Sequence, residues 1–392
     1  MLITAPRVIT AEAGRPALEP GYVVMAAGRV TAAEAGRPPR APDIVLPSGM
    51  LLPGFVDLQV NGYFGEEFPV AGADGWAKVV TRLPRTGTTA LLPTFITAPP
   101  GALAAALRAA SALIPALPAG AARVLGVHAE GPFIAPARKG AHCEAWITDP
   151  APAAVDELLE AGQGALRLVT LAPERPGALA AIGRLTQAGV LVSVGHSDAT
   201  ARQVAKAADH GARMVTHLFN AQRPLHHREP GVVGQALTDS RLTSSLITDL
   251  HHVSPQACVL AFRAAPGRIC AVTDAVACAG MPPGRYLLGG EPIELPPGDG
   301  KPPVRDDGTL AGSTLRMDAG VANMVAAGIA LDEAVAAASR VPADLIGRPD
   351  LGRIAPGAAA DLAWLGDDLR TRATWIGGDL VYSSAGTEGG PG

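Results

Sequence analysis

Residues 191–220 read LVSVGHSDATARQVAKAADHGARMVTHLFN, and this stretch decides the fold. It opens with an apolar run, Leu191 to Ser197, that suits a strand buried on both faces. Ser197 or Asp198 can then cap a helix on which Ala201, Val204, Ala205 and Ala208 share one face. A second apolar run, Met214 to Asn220, closes the unit. Two apolar strands joined by a helix predict a parallel pair covered on its outer face.

Outward from this unit the texture recurs. Similar runs occur at Phe55 to Val60, Thr89 to Phe95, Arg123 to Gly131, Arg167 to Glu174, Leu242 to Asp249 and Arg268 to Ala275, making eight in all. Eight strands alternating with helical stretches predict a closed (β/α)8 barrel. The uncharged span from Thr86 to Leu107 is cut by Pro93, Pro99, Pro100 and Gly101, so it reads as a strand, a turn and an Ala-rich helix, not a membrane span. Before Pro53 the chain breaks into short strand pieces, Met1 to Thr10, Gly21 to Ala33 and Asp43 to Leu52. After about Gly352, beyond a last helical pattern at Leu331 to Ile346, the same texture returns in Asp361 to Leu365 and Trp375 to Tyr382. The two chain ends, residues 1–52 and 353–392, are expected to share a sheet in one discontinuous β domain, with the barrel over 53–352.

With 392 residues, 48% of them hydrophobic, the chain can bury a large core and is not disordered. Its 32 Lys and Arg against 36 Asp and Glu, without a basic cluster, give no footprint for nucleic acid or an anionic membrane surface, which leaves small molecules as partners. Cys143, Cys258, Cys270 and Cys278 have no CxxC spacing, and Pro6 and Arg7 interrupt any export signal, so reduced thiols in a cytoplasm are expected.

Function in such a barrel collects at the carboxyl ends of the strands. There the sequence places His128 and Glu130 in HAEGPF, His196 in GHSD, His217 in THLFNA and Asp274 in TDA. Imidazoles with a carboxylate suit a borderline divalent cation such as zinc, and three protein ligands with an open position make a catalytic site. Glu130, His196 and His217 fit that pattern. One strand-end histidine alone would read as a core residue, but several acid and imidazole groups on different strands read as a site.

In order along the chain, PGFVDLQVNGYFG, GVHAEGPFI, KGAH, VSVGHSDAT, THLFNA, PLHHREPG, VTDA and LAGSTLRMD resemble the N-acetylglucosamine-6-phosphate deacetylase family of the amidohydrolase superfamily. The resemblance runs from Pro53 to the GRIAPGAAADLAWL segment ending at Leu365. It implies a distorted (β/α)8 barrel with a small β-sandwich from both chain ends, usually as a homodimer. It further implies that Glu130, His196 and His217 bind the metal, and that Asp274 acts as general base on a metal-activated water and then as acid toward the departing sugar nitrogen. His252 would hydrogen-bond the acetyl carbonyl, with His251 as the alternative one position away. The backbone N–H groups of Asn220 and Ala221 and the guanidinium of Arg228, reaching across a dimer, would hold the substrate phosphate. His142 would contact the sugar end or line the entrance.

Many amidohydrolases carry a His-x-His pair at the end of the first strand for a second metal, where this chain has Gln59 and Asn61. Amides bind such cations weakly, so one divalent ion per chain, zinc, is expected, with Gln59 and Asn61 lining the pocket and bonding water or sugar. The reaction implied is hydrolysis of N-acetyl-D-glucosamine 6-phosphate, an amino-sugar phosphate, to glucosamine 6-phosphate and acetate. The alternatives are the galactosamine epimer and a non-catalytic scaffold of the same fold. Gln222, Arg223 and Cys143 depart from the family pattern, and Arg223 is expected to face solvent.

Overall fold

A computed structural model describes residues 1–298 and 300–384. Eight parallel strands form the expected barrel: β1 (Phe55–Val60), β2 (Thr88–Ile96), β3 (Val127–Glu130), β4 (Leu166–Leu171), β5 (Leu191–Val194), β6 (Met214–Val215), β7 (Thr243–Ile247) and β8 (Ile269–Val272). Each pairs with the next from β1 to β8. An isolated parallel bridge between Val60 and Ala275 completes the ring. Val56 and Leu58 of β1, Ala90 and Leu92 of β2, Leu168, Met214, Ile247, Cys270 and Val272 form one buried cluster. The residues alternating with them, such as Phe55, Leu91 and Phe95, join a larger cluster with the helices. That alternation separates a barrel interior from a barrel–helix interface.

Several strands are shorter than their apolar runs. The run Met214 to Asn220 contributes only two residues to β6, because after Thr216, whose N–H still reaches the Val194 carbonyl at 2.9 Å, the chain turns out of the ladder at His217. The helix after β5 spans Ala201–Asp209, and Thr200, not Ser197 or Asp198, caps it through a reciprocal pairing with Gln203. Asp198 is instead occupied by two arginines: Arg223 Nη2 lies 2.7 Å from its Oδ2, and Arg138 Nη2 lies 2.7 Å from its Oδ1. Arg223 is therefore pinned to the loop beside the site, not free in solvent.

The chain ends form two sheets sharing one core. Strands 29–35, 21–26, 2–5 and 44–45 make the first, and 7–8, 50–53, 362–365, 371–376 and 379–383 the second. Ile3, Val23, Leu51, Leu362 and Trp375 pack between them, which makes the arrangement a small sandwich. The run Trp375 to Tyr382 is not one strand but the inner part of a hairpin. Gly377 and Gly378, both at positive φ, supply the two-residue turn that other residues resist. Arg123 ties sandwich to barrel through a paired contact with Asp361 at 2.8 and 3.0 Å. No helix among the described residues is long and apolar enough to cross a membrane.

Candidate active site

A common local device puts the polar side chains at the barrel rim. His196, His217, Asp249 and Asp274 each stand two residues beyond the end of their strand, after β5, β6, β7 and β8. His196, His217 and Asp274 have φ of 46°, 31° and 50°. A left-handed residue ends the ladder and turns its side chain back over the barrel mouth, at a cost a rim held by its neighbours can carry. Glu130 is the last residue of β3, registered against Ile96 of β2 and Thr170 of β4.

Three donor atoms converge there. Glu130 Oε1 lies 2.9 Å from His217 Nε2 and 3.2 Å from His196 Nε2, and the two imidazole nitrogens are 3.1 Å apart. His196 Nδ1 sits 2.8 Å from the Arg138 carbonyl, which can only accept, so its proton is on Nδ1 and Nε2 presents a lone pair. His217 Nδ1 is buried with no partner among the described residues. Two facing lone-pair nitrogens and a carboxylate oxygen in this space suit a divalent cation.

His142 lies against the same cluster, not at the entrance. Its Nε2 is 3.9 Å from Glu130 Oε2, its ring is 4.4 Å from that of His196, and with Glu130 and His196 it forms a second grouping whose donor atoms fall within 4.8 Å. The Thr97 N–H reaches His142 Nδ1 at 3.4 Å and the Thr97 hydroxyl at 2.8 Å. That places the proton on Nε2 and makes it a donor, which argues against His142 as a ligand. Gly140 packs under His196: a Cβ there would stand 3.1 Å from the ring at φ +55°, so the KGAH loop needs its glycine.

Both amides of DLQVNG donate to carboxylates, and Asn61 also lines the cavity. Gln59 Nε2 donates to Glu130 Oε1 at 3.1 Å, and Asn61 Nδ2 donates to Asp274 Oδ1 at 2.8 Å. Asp274 is lifted above the usual carboxylate range, first by burial and then by the Glu130 charge.

His252 is the pocket residue of its pair, since His251 is exposed. Its Nδ1 meets Asp249 Oδ2 at 2.7 Å, while Asp249 Oδ1 accepts the N–H groups of His251 and His252, both at 2.9 Å. The sequence reading takes Asp249 only as the end of an apolar run, although Thr248-Asp249 repeats Thr273-Asp274 at the same distance past a strand. Thr97, the residue that orients His142, carried no signal in sequence.

Asn220 and Ala221 line a cavity of about 350 Å³ with Glu130, His142, His196, His217, His252 and Asp274. The Asn220 N–H is already taken by the His217 carbonyl at 2.9 Å, because the turn after β6 closes there. No acceptor takes the Ala221 N–H among the described residues, so of that pair only Ala221 keeps a free donor. Gln222 clamps the loop, accepting from Phe219 N at 3.2 Å and donating to the Thr216 carbonyl at 2.8 Å. Arg228 is exposed, 2.9 Å from His227, and does not line the cavity of its own chain. Among the described residues the four cysteines are free, and Cys143 alone is not buried.

The Amidohydrolase family model matches residues 50–288 and 299–381. The chain is 41% identical to N-acetylgalactosamine-6-phosphate deacetylase of Escherichia coli O157:H7, over 85% of this chain and 88% of that protein. It is 39% identical to N-acetylglucosamine-6-phosphate deacetylase of Homo sapiens, over 86% of this chain and 84% of that protein. A solved mutant of N-acetyl-D-glucosamine-6-phosphate deacetylase from Mycobacterium smegmatis, in complex with N-acetyl-D-glucosamine-6-phosphate, superposes with a TM-score of 0.92 at 38% identity, covering 98% of this chain and 99% of that one.

Proposed function

The chain belongs to the amidohydrolase family, and on that premise we propose that it hydrolyses the acetamido group of N-acetyl-D-glucosamine 6-phosphate, releasing acetate and D-glucosamine 6-phosphate. The observation that carries this is the convergence of Glu130 Oε1, His196 Nε2 and His217 Nε2 within 3.2 Å in the cavity that also holds Asp274.

Glu130, His196 and His217 would hold one divalent ion, zinc by the chemistry of two imidazoles and a carboxylate. Such an ion supplies Lewis acidity to the acetamido oxygen and lowers the pKa of a water. Asp274 moves the proton. Asn61 donates to Oδ1, so that oxygen stays an acceptor and the proton travels through Oδ2, first from the attacking water and then to the sugar nitrogen. His252, positioned by Asp249, faces the acetyl end of the substrate, and His142 Nε2–H is a donor beside Glu130. The Ala221 N–H and Arg228 bind the 6-phosphate, the arginine entering from the second chain of a homodimer, which accounts for its exposed position away from its own cavity.

We place the enzyme in the cytoplasm and take residues 1–52 and 353–392 as one unit beside a 53–352 barrel, of which 385–392 lie outside the described residues. A second reading is the same hydrolysis of N-acetylgalactosamine 6-phosphate, favoured by the 41% relative. An acetate-release assay on both 6-phosphates and on phosphate-free N-acetylglucosamine tests both readings. The glucosamine epimer should be preferred and the phosphate-free sugar poor; preference for the galactosamine epimer supports the second reading, and no acetate from any of them after adding zinc refutes both.

A further inference from the structure

His128, wholly buried on the same face of β3 as Glu130, has no part in the reaction proposed above. It belongs to a chain of polar side chains that crosses the barrel interior just before the metal-site residues along their strands. His128 Nδ1 lies 3.3 Å from Thr94 Oγ1 on β2, and its Nε2 lies 2.8 Å from Thr170 Oγ1 on β4. Thr170 Oγ1 is 2.7 Å from the Thr216 hydroxyl, which is in turn 2.6 Å from Ser193 Oγ on β5. None of the five is more than 1% exposed. We propose that this chain sets the spacing of Glu130, His196 and His217 for the metal ion, with His128, Thr170 and Thr216 as positioning residues.

The bonds run in one direction. Thr94 Oγ1 accepts the Val60 N–H at 3.1 Å and donates to the Leu92 carbonyl at 3.3 Å, so the imidazole proton sits on Nδ1 and points to Thr94. Nε2 then accepts from Thr170, Thr170 from Thr216, and Thr216 from Ser193, and every proton has an acceptor. Run the other way, the chain would leave the buried Ser193 proton without an acceptor among the described residues, which is costly. A network satisfied in a single direction has a single geometry, as a rigid support requires.

The chain reaches all three metal-site residues. β6 has only two ladder residues, so the hydroxyl bonds of Thr216, immediately before His217, supply a hold that a longer ladder would give. Gly195, immediately before His196, packs on the same pair: a Cβ there would stand 2.6 Å from Thr170 Cγ2 and 2.8 Å from Thr216 Cβ. Glu130 is in register with Thr170 and shares its strand face with His128. Two lone-pair nitrogens and a carboxylate oxygen converged within 3.2 Å repel one another, and a stiff support keeps them from spreading.

The proposal rests on the reading that these three residues bind a divalent ion, and its test keeps the two apart. Zinc affinity is measured by chelator competition, and site geometry by the visible absorption of bound cobalt(II). Thr170→Val keeps the side-chain shape but cuts His128 off from Thr216; it should weaken zinc about tenfold or more and change the cobalt spectrum. Thr170→Ser, which keeps the hydroxyl, should match the wild type in both. Ser193→Ala removes only the terminal donor, and it should move both readouts the same way by less; it is the fallback if Thr170→Val does not fold. Leu58→Ala, which loosens the barrel interior without touching the chain, should leave both unchanged in the folded protein. Wild-type affinity and spectrum in Thr170→Val and Ser193→Ala, or equal losses in Leu58→Ala, would overturn the proposal and leave the metal-site reading intact. A wild-type protein that binds neither ion would overturn both.

Discussion

The rim of the barrel and the belt just below it are built on opposite principles. In the belt, Val56, Leu58, Ala90, Leu92, Leu168 and Val272 are wholly buried side chains of regular strands. At the rim stand Phe64, His196, His217, Phe219, Ala221, Leu250 and Asp274, seven of the ten non-glycine residues at positive φ among those described. Each such residue costs on the order of 1–3 kcal/mol. The belt fixes where the strands end, and the rim uses that rigidity to hold strained, mutually repelling polar groups. Substitutions should therefore separate activity from stability according to which side of this line they fall on.

The largest effect is expected from Asp274→Asn. Losing the proton carrier should lower kcat about a thousandfold while substrate still binds. Stability should hold or rise, because Asn tolerates φ of 50° better than most residues and the buried charge is gone. Initial rates, substrate calorimetry and denaturant melts of the same preparation check all three. A variant that keeps a tenth of the rate would remove Asp274 from the mechanism, and one that loses stability would erase the contrast between rim and belt.

Leu58→Ala probes the other side. Deleting a side chain with 0% exposure from the barrel interior should cost about 2–5 kcal/mol in urea unfolding. The kcat of the folded fraction should stay unchanged. A large kcat defect with little loss of stability would mean that the belt tunes the rim continuously instead of merely supporting it.

Asp57 lies on the boundary. It is buried in β1 and accepts from the Thr273 hydroxyl at 2.6 Å and from the N–H groups of Gln59 and Thr273, both at 3.2 Å. Burial nevertheless pushes its pKa up to about 7. The folded protein therefore retains a proton here that the unfolded chain releases near pH 4. Its contribution to stability is full below about pH 4 and falls as the pH rises to 7. Asp57→Asn should flatten stability across that window, measured as unfolding midpoints in buffers from pH 4 to 8. An unchanged slope would show that Asp57 is ionised throughout.

The belt was legible in the sequence and much of the rim was not, for a physical reason. Apolar runs declare buried strands wherever they sit, so all eight barrel strands could be found. Strand ends are set by hydrogen bonding that leaves no mark on composition, which is why the run at Met214 to Asn220 overshot β6. Glu130, His196, His217 and Asp274 stood out because titratable groups are rare after apolar runs. The pairings that hold the site in place depend on tertiary contacts such as Thr97 with His142 and Asn61 with Asp274, the latter separated by 213 positions. The tie of Arg223 to Asp198 was hidden for the same reason.

The smallest effect tests whether the helix behind the His196 loop belongs to the rim or to its support. Thr200 caps this helix, Ala201–Asp209, and the two arms of the capping box are unequal. Gln203 Oε1 accepts from Thr200 N at 2.9 Å, whereas Thr200 Oγ1 accepts from Gln203 N at only 3.4 Å. Thr200→Ala should therefore cost about 0.5–1 kcal/mol, the low end for a lost cap. Gln203→Ala, which removes the shorter bond, should cost at least as much. Neither should alter kcat, since His196 is held from the other side by the Arg138 carbonyl at 2.8 Å. Paired urea melts and initial rates decide it. A kcat defect in either variant would move the helix N-terminus into the catalytic framework and shift the boundary between rim and support outward by one element.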